Sequence, residues 1–336
     1  MLQNRKVVFT SKGNVELQVE SFDETKIPAG HVVLKNHYSL ISTGTELACL
    51  NGYEGWFQMP AVPGYISVGE VVAKADDVSC CEIGDVIYNF GGHQEYAVMP
   101  TTGCFMKVPS EIEEKYVPLI RTATIAMAAI RTSDIVFGDY VAVTGQGLVG
   151  IMTAQLAHLQ GARAIGIDHH DNRLKLAKQC QVDYTINSSD CDMKEEISRL
   201  TNDEMIDTFV EAIGNTKVLV EGTDCLAKNG EMIILGTPRT TYVTDCSPIF
   251  NKVFQGSSNI RFKGAHEWKD PYEPDEFVKH SIISNTKDVI DYMVNGRLVY
   301  KPLLTHVVRP EQCAEIYADM QVNKDKYMGV VFDWTK

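Results

Sequence analysis

The chain has 336 residues, of which 44% are hydrophobic and 22% charged, and its formal net charge is −13. This length allows two domains with separate cores, and the composition is typical of a globular protein. The negative charge argues against a nucleic-acid partner, because DNA and RNA are bound by cationic surfaces. No apolar run approaches the roughly 18 residues of a membrane helix, and the N-terminus lacks a signal-peptide pattern. We therefore expect a cytoplasmic protein with no membrane partner.

The first 120 residues or so contain short β-like runs punctuated by Gly, Pro and Asp, which favours an all-β module. These runs read KVVFT, HVVLKNHYSL, VGEVVAKA, DVIYNF and QEYAVMP. Nine cysteines are scattered along the chain without a C-x-x-C pair. Their odd number and spacing indicate reduced thiols and no disulfide framework.

From about Thr124 apolar strands alternate with segments of helix length, which predicts βαβ units and a parallel sheet. The strands read YVAVT, ARAIGID, VDYTIN, MIDTFVEA and EMIILG. After about Arg261 the pattern is mixed. We expect helices near Asp275 to Gly296 and near Glu311 to Gln321, and then a last strand, MGVVFDW.

The sharpest motif is the G-x-G-x-x-G run from Gly145 to Gly150, which follows the strand YVAVT and opens an apolar helix. In this context Gly145 makes the tight turn, Gly147 lets the backbone approach a pyrophosphate, and Gly150 lets helix and strand pack closely. The run as a whole is therefore a candidate cofactor site, made up of Gly145, Gln146, Gly147, Leu148, Val149 and Gly150.

Asp168 ends the next strand, about 20 residues beyond the glycines, where a carboxylate accepts hydrogen bonds from the adenosine ribose. A 2′-phosphate there would be repelled, so NAD is favoured over NADP. His169 and His170 follow and soften that discrimination; nothing nearby in the sequence completes a metal site with them. Arg173 and Gly236 are further cofactor-binding candidates.

With the β-rich segment, this unit resembles the medium-chain dehydrogenase/reductase superfamily over nearly the whole chain. The resemblance rests on TGTE at residues 43–46, VPGYISVGEVV at 62–72, GD at 84–85, QEYAVMP, LKLAKQCQVDYTIN and PLLTHVVRPEQCAEIY. It implies a GroES-like β-rich catalytic domain at residues 1–123 and 266–336. A Rossmann domain with a doubly wound parallel sheet is implied at residues 124–265.

The departures from the zinc-dependent polyol and alcohol dehydrogenases of that superfamily concern the metal. Thr43 replaces the cysteine of their C-G-T-D segment, Tyr65 and Ile66 replace the His and Glu of a G-H-E, and Arg121 replaces an acidic residue. These side chains are not the donors that a tetrahedral zinc needs. The four-cysteine lobe that follows the G-D turn in zinc members is missing, so we expect neither zinc.

Without a metal, other groups must move the proton. The resemblance places Thr45 at the start of a proton relay and turns Tyr65 and Arg121 toward the substrate cleft, with His93 near the substrate pocket. We interpret these four as catalytic candidates. Histidine is the residue type whose ordinary pKa lies nearest neutrality, which makes His93 a candidate base, and Arg121 is the cation that could depress the pKa of Tyr65. The alternatives are that Tyr65 only packs and that Arg121 pairs with Glu46.

Glu46, Tyr53 and Trp56, with Glu54, are candidates for holding the turn or capping the substrate. His266, Glu267 and Trp268 lie where the family contacts the nicotinamide and its dimer partner. The strand IRFKGA is an expected paired edge, which predicts a homodimer or homotetramer.

Three functions compete. The first is a zinc-independent, NAD-dependent dehydrogenase of a sugar, cyclitol or polyol, with phosphorylated and carboxylated polyols included. The second is a quinone or enoyl reductase, a type that usually prefers NADPH. The third is a non-catalytic NAD(H)-binding protein.

Overall fold

The structure is a computed structural model describing residues 1–336, in which the chain forms two compact units. The first, here the β-rich unit, comprises Met1–Arg121, Tyr272–Ser284 and Leu303–Lys336. The second, here the Rossmann unit, comprises Thr122–Pro271 and Asn285–Pro302. No helix combines the length and the apolar character needed to cross a membrane.

The strands and helices follow one another along both units. The strands are β1 (Leu2–Ser11), β2 (Asn14–Phe22), β3 (His31–Leu40), β4 (Ser67–Lys74), β5 (Val86–Asn89), β6 (Tyr96–Pro100), β7 (Phe105–Lys107), β8 (Tyr140–Thr144), β9 (Arg163–Asp168), β10 (Tyr184–Asn187), β11 (Ile206–Glu211), β12 (Leu226–Ile234), β13 (Arg261–Gly264), β14 (Leu304–Val308) and β15 (Gly329–Asp333). The helices are α1 (Thr43–Leu50), α2 (Leu119–Thr132), α3 (Leu148–Leu159), α4 (Asp171–Gln179), α5 (Met193–Thr201), α6 (Thr216–Gly222), α7 (Ser247–Phe254), α8 (Ile282–Val294) and α9 (Cys313–Val322).

The β-rich unit contains the hairpin β1–β2 and a seven-stranded sheet in the order β14-β15-β3-β4-β5-β7, with β6 paired to β3. All these pairs are antiparallel except β14–β15. Phe9, Tyr317, Phe332 and Trp334 are buried in one core cluster. The β-rich fold is confirmed, but α1 interrupts a segment for which the sequence predicted only strands.

The Rossmann unit contains a six-stranded sheet in the order β10-β9-β8-β11-β12-β13, with every pair parallel. Numbered within the unit this order is 3-2-1-4-5-6, that of a dinucleotide-binding doubly wound sheet. All five residues of β8 are buried, as expected for a strand covered on both faces. The strand order reverses next to β8, so the turn that follows β8 lies at the position where such sheets bind ligands.

The sequence assigned all of residues 266–336 to the catalytic domain, whereas in the structure the Rossmann unit continues to Pro271 and also includes Asn285–Pro302. Gln155 of α3 and Val299 exchange two hydrogen bonds, of 3.1 and 2.7 Å, and Arg131 binds Asp288 at 2.7 Å. The helix predicted from Asp275 begins only at Ile282. Asp275 instead accepts backbone hydrogen bonds from the residues that follow it, which holds a turn.

Candidate functional site

The turn after β8 is shaped by its three glycines. Gly145 has φ +85°, and a Cβ added there would lie 2.5 Å from Ile213 Cγ1. A Cβ on Gly150 would lie 1.8 Å from the Gly145 carbonyl oxygen, whereas a Cβ on Gly147 would meet nothing within 4 Å. The turn is therefore closed where helix meets strand and open at Gly147, the position that faces a pyrophosphate.

Gly147 is the N-cap of α3 and provides no side-chain cap. The N–H groups of the first turn, which includes Leu148 and Val149, thus have no partner within the helix and present its positive end. Gln146 is fully buried and donates from Nε2 to the Val143 carbonyl at 2.8 Å, which braces the turn from inside. This backbone cradle fits the phosphates of a dinucleotide.

The Asp168 carboxylate at the end of β9 is 4% exposed and is fixed by backbone donors. Gln146 N donates to Oδ2 at 2.8 Å, and His170 N donates to Oδ1 at 2.9 Å. Burial alone would raise the pKa of Asp168, but Arg173 and these N–H groups outweigh it and hold that pKa below its usual value. An ionised acceptor therefore stands beside the glycine turn.

Three basic side chains surround this carboxylate. Arg173 Nη1 lies 3.6 Å from Oδ2, while His169 Nδ1 and His170 Nδ1 lie 3.7 and 3.1 Å from Oδ1. The sequence indicated that nothing completes a metal site with the two histidines. In the structure the potential ligand atoms of Asp168, His169 and His170 all lie within 4.8 Å of one another.

Gly236 lies just beyond the carboxyl end of β12, and a residue that sequence reasoning missed, Glu211, is the last residue of β11. Gly236 N donates to the Glu211 carbonyl at 2.8 Å. The Glu211 carboxylate is fully buried and accepts from the backbone N–H groups of Ile213 and Gly214, each at 2.9 Å. Burial still raises the pKa of Glu211, since its effect exceeds that of these bonds. Glu211 therefore shapes the loop at the strand-order reversal.

In the β-rich unit, hydroxyl groups meet at Tyr65. Its OH lies 2.6 Å from Ser42 Oγ and also forms a hydrogen bond with the Thr45 side chain. The Arg121 guanidinium carbon lies 5.6 Å from the centroid of the Tyr65 ring and 4.2 Å from that of Phe90. The structure thus brings together three predicted residues, Thr45, Tyr65 and Arg121, and adds Ser42 and Phe90.

Arg121 lowers the pKa of Tyr65, as the sequence suggested that it could, but it does not decide the direction of the net shift. Burial raises the pKa of Tyr65 above its ordinary value, and this effect exceeds the lowering by Ser42, Thr45 and Arg121. The phenol is accordingly neutral at physiological pH and available as a hydrogen-bond donor.

His93 is fully buried, and both its ring nitrogens have protein partners. Nδ1 lies 2.7 Å from Ser39 Oγ, and Nε2 lies 3.0 Å from Glu46 Oε2. Trp334 Nε1 donates to the same Ser39 hydroxyl at 2.8 Å, and Tyr317 OH donates to Glu46 Oε2. His93 is therefore held inside a buried hydrogen-bond network.

Glu46 connects this buried network to Tyr65. Its Oε1 accepts from Ser42 N at 2.7 Å, and the Ser42 hydroxyl bonds to Tyr65. Ser42 precedes the TGTE run in the sequence and could have been suspected from it. Tyr317 and Trp334 lie 271 and 295 residues from their partners in the chain, so no local pattern could have revealed them.

The residues at the positions of the family's catalytic metal do not fit zinc. The Thr43 hydroxyl and the neutral Tyr65 phenol are poor donors for zinc, and Ile66 is buried and apolar. The cationic Arg121 stacks beside Tyr65. Because a zinc site needs three nitrogen, thiolate or carboxylate donors, this donor set does not suit the metal.

The remaining predicted residues lie on exposed segments. Tyr53 and Trp56 are 74% and 65% exposed, and Trp56 Nε1 donates to Glu54 at 2.9 Å. In the Rossmann unit, His266 caps a short 3₁₀ helix after β13 that contains Glu267 and the exposed Trp268.

Comparison with known proteins places this geometry in context. A family model described as "Zinc-binding dehydrogenase" matches residues 149–275. Sorbitol dehydrogenase of Halalkalibacterium halodurans is 26% identical over 68% of this chain and 76% of its own length. D-guloside 3-dehydrogenase of Shigella flexneri is 25% identical over 83% of this chain and 78% of its own.

The chain belongs to the medium-chain dehydrogenase/reductase superfamily. The crystal structure of galactitol-1-phosphate dehydrogenase from Escherichia coli shares its fold, with a TM-score of 0.83 at 19% identity over 98% of this chain and 99% of the other. The present chain is thus a dehydrogenase with the GroES-like and Rossmann domains that its sequence predicted. The matched family segment begins after all four residues that stand at the metal positions.

Proposed function

We propose that this protein is a zinc-independent, NAD-dependent dehydrogenase that interconverts a secondary alcohol and a ketone on a sugar, cyclitol or polyol. The observation that carries the proposal is the hydroxyl cluster of Tyr65, Ser42 and Thr45 beside Arg121. In zinc members the positions of Tyr65 and Arg121 serve the metal. Bound NAD would supply the hydride chemistry. The named relatives, which are dehydrogenases of sorbitol and a guloside, support the substrate class.

The residues of this chain would handle the proton. In the direction of ketone reduction, the neutral Tyr65 phenol donates a proton to the oxygen of the substrate and is reprotonated through Ser42 or Thr45. In the oxidation direction the same hydroxyls pass the alcohol proton away. Arg121, held against Phe90 and Tyr65, orients a substrate oxygen or anionic group through its forked donors. A phosphorylated or carboxylated polyol suits this cation.

The choice of NAD rests on Asp168. Its ionised carboxylate lies beside the open Gly147 and would accept hydrogen bonds from the ribose hydroxyls. The group of His169, His170 and Arg173 around Asp168 is the specific observation that favours a second candidate, an NADPH-dependent quinone or enoyl reductase. The Arg173 cation, joined by either histidine when protonated, would attract a 2′-phosphate. Arg173 is paired with the carboxylate, so we favour NAD.

The deciding experiment is a screen of sugars, cyclitols and polyols, free and phosphorylated, for NADH formation with EDTA present. Turnover that survives EDTA is expected. Turnover only with quinones or enones and NADPH would support the second candidate. Tight NADH binding without turnover of any alcohol or ketone would contradict both and indicate a non-catalytic protein. Inactivation by EDTA and recovery with zinc would refute the zinc-independent mechanism.

A further inference from the structure

The end of β9 holds a group of side chains that the proposed reaction uses only in part. Asp168 Oδ1 lies 3.1 Å from His170 Nδ1 and 3.7 Å from His169 Nδ1, and the two imidazole rings lie 3.9 Å apart. The carboxylate is buried, while the His169 and His170 side chains are 60% and 27% exposed. Solvent therefore has access to a cluster of one oxygen and two nitrogen donors.

These separations suit a transition-metal ion. Zinc binds histidine nitrogen and carboxylate oxygen at about 2.0–2.2 Å, so donors in a tetrahedral site are about 3.3 Å apart. The two distances to Asp168 Oδ1 lie on either side of that value. Only small rotations of the two rings would be needed, and a fourth position would remain open to water.

The cluster is also held in place before any ion binds. Backbone N–H groups of Gln146 and His170 fix the carboxylate at 2.8 and 2.9 Å. Arg173 pairs with Oδ2, whereas both histidines face Oδ1. The metal and Arg173 would thus use different oxygens. The guanidinium still weakens metal binding by charge repulsion, so a reversible, dialysable ion is expected.

We propose that Asp168, His169 and His170 form a site for Zn²⁺ and similar divalent ions, and that its occupation blocks binding of the dinucleotide. The blocking part rests on the proposed function, in which Asp168 receives the ribose hydroxyls. A metal ion would take the lone pair of Oδ1 that the His170 N–H leaves available and would occupy the space of the ribose. EDTA would then raise or leave unchanged the activity of this enzyme, whereas it removes the activity of a zinc-dependent dehydrogenase.

The test is a titration of the full-length, metal-free protein with Co²⁺, followed by absorption spectroscopy, and then displacement by Zn²⁺. One ion per chain with a spectrum of nitrogen and oxygen ligands is expected. Thiolate bands would instead indicate the exposed Cys80, Cys191 or Cys246 and would contradict the proposal. In a parallel NADH titration, Zn²⁺ should raise the apparent Kd in proportion to its concentration, and EDTA should restore the Kd.

The double variant His169→Gln/His170→Gln should bind Co²⁺ at least tenfold more weakly. The matched control is His158→Gln, which removes a histidine that lies 3.0 Å from a single carboxylate, Asp183, elsewhere in the same unit. Circular dichroism of each variant checks the fold. Equal Co²⁺ affinity in the double variant and the control would overturn the site.

The two proposals fail in different ways. Zn²⁺ binding at these residues with an unchanged NADH affinity would overturn the blocking role alone. If metal-free protein bound no NADH at all, the proposed function would fail together with the blocking role. The metal site would still be decided by the Co²⁺ titration.

Discussion

Burial and a neighbouring cation shift the pKa of the Tyr65 hydroxyl in opposite directions. The half-buried phenol lies beside Arg121, which favours ionisation, yet the loss of water raises the pKa more than the cation lowers it. A guanidinium whose centre lies 5.6 Å from the ring centroid is a weaker influence than the lost solvation. The neutral phenol is better suited to donate a proton than to abstract one. It is therefore ready for ketone reduction, in which it donates.

Replacing Tyr65 by Phe should lower turnover by about 10²-fold or more, since positioned acid–base groups typically contribute 10²–10⁴-fold. NADH binding should stay normal because the hydroxyl lies outside the Rossmann unit. The control is Tyr38→Phe, which removes another half-buried phenol whose pKa is raised by burial. Steady-state kinetics and NADH fluorescence titrations would measure both effects. Similar turnover in the two variants would remove Tyr65 from the mechanism.

The raised pKa of Tyr65 also predicts a pH profile. Only a small fraction of the phenol is ionised near neutrality, and this fraction grows as the pH approaches and passes about 10. The kcat/KM for alcohol oxidation should therefore rise between about pH 7 and 10 without a plateau, while ketone reduction, which uses the neutral phenol, should change little. The Tyr65→Phe variant should lose the rise. A plateau reached near pH 7 would show that a different group controls the proton.

At Asp168 the prediction concerns cofactor choice. The intact protein should bind NADH at least about tenfold more tightly than NADPH, which corresponds to about 1.4 kcal/mol. Asp168→Asn keeps the shape but removes the charge that opposes a 2′-phosphate, and Arg173 would then attract that phosphate. The difference between the NADH and NADPH affinities should become smaller in this variant and stay unchanged in Asp183→Asn, as measured by fluorescence titration. Equal affinities for NADH and NADPH in the intact protein would mean that His169, His170 and Arg173 outweigh the Asp168 carboxylate.

At the scale of elements, the sequence predicted the parts of the cofactor site that are adjacent along the chain. The strand β8, the glycine turn, helix α3 and strand β9 follow one another, so periodicity and spacing were enough to place Asp168 beside the turn. Helix α1 was missed because it has only eight residues, and its first turn, TGTE, carries no apolar periodicity. Tertiary contacts from far along the chain hold it in place.

The same limit applies to His93. Its position in the sequence agreed with a residue of the substrate pocket, but its environment depends on Trp334 through Ser39 and on Tyr317 through Glu46. These partners come from the C-terminal segment. A single sequence offers no means of pairing residues over such separations, so burial could not be predicted from the local run.

The contact between α9 and α1 can be tested through Tyr317. Its hydroxyl donates to the buried Glu46, so Tyr317→Phe removes one donor from a carboxylate without access to water. The free energy of unfolding should fall by about 1–3 kcal/mol, measured by denaturant titration with tryptophan fluorescence. Tyr327→Phe is the control, because its partner Asp319 is partly exposed and water can replace the hydroxyl. Equal losses in both variants would argue against a special role for Glu46.

At the scale of the whole molecule, the resemblance predicted that the β-rich unit is built from segments at both ends of the chain. Periodicity alone gave no reason for β14 and β15 to join the sheet that contains β3. The return of residues 285–302 to the Rossmann unit was not predicted, because it depends on side chains such as Gln155 that bind a distant backbone.

The association state is the property of the whole molecule that the fold makes testable. Strand β13 is an edge strand of the Rossmann sheet, and its residue Phe262 is 41% exposed. Two phenylalanines of α7 are exposed as well, Phe250 at 67% and Phe254 at 88%. An uncovered edge with apolar neighbours tends to pair with another copy, so we expect a dimer or tetramer in light scattering at micromolar concentration.

Phe262→Glu should shift the protein toward monomers, because a charge on the paired edge loses its water on association. Phe277→Glu, which alters an 87% exposed phenylalanine in the β-rich unit, should leave the mass unchanged. A monomeric intact protein would refute association through β13, and a Phe262→Glu variant that stayed fully dimeric would place the interface elsewhere.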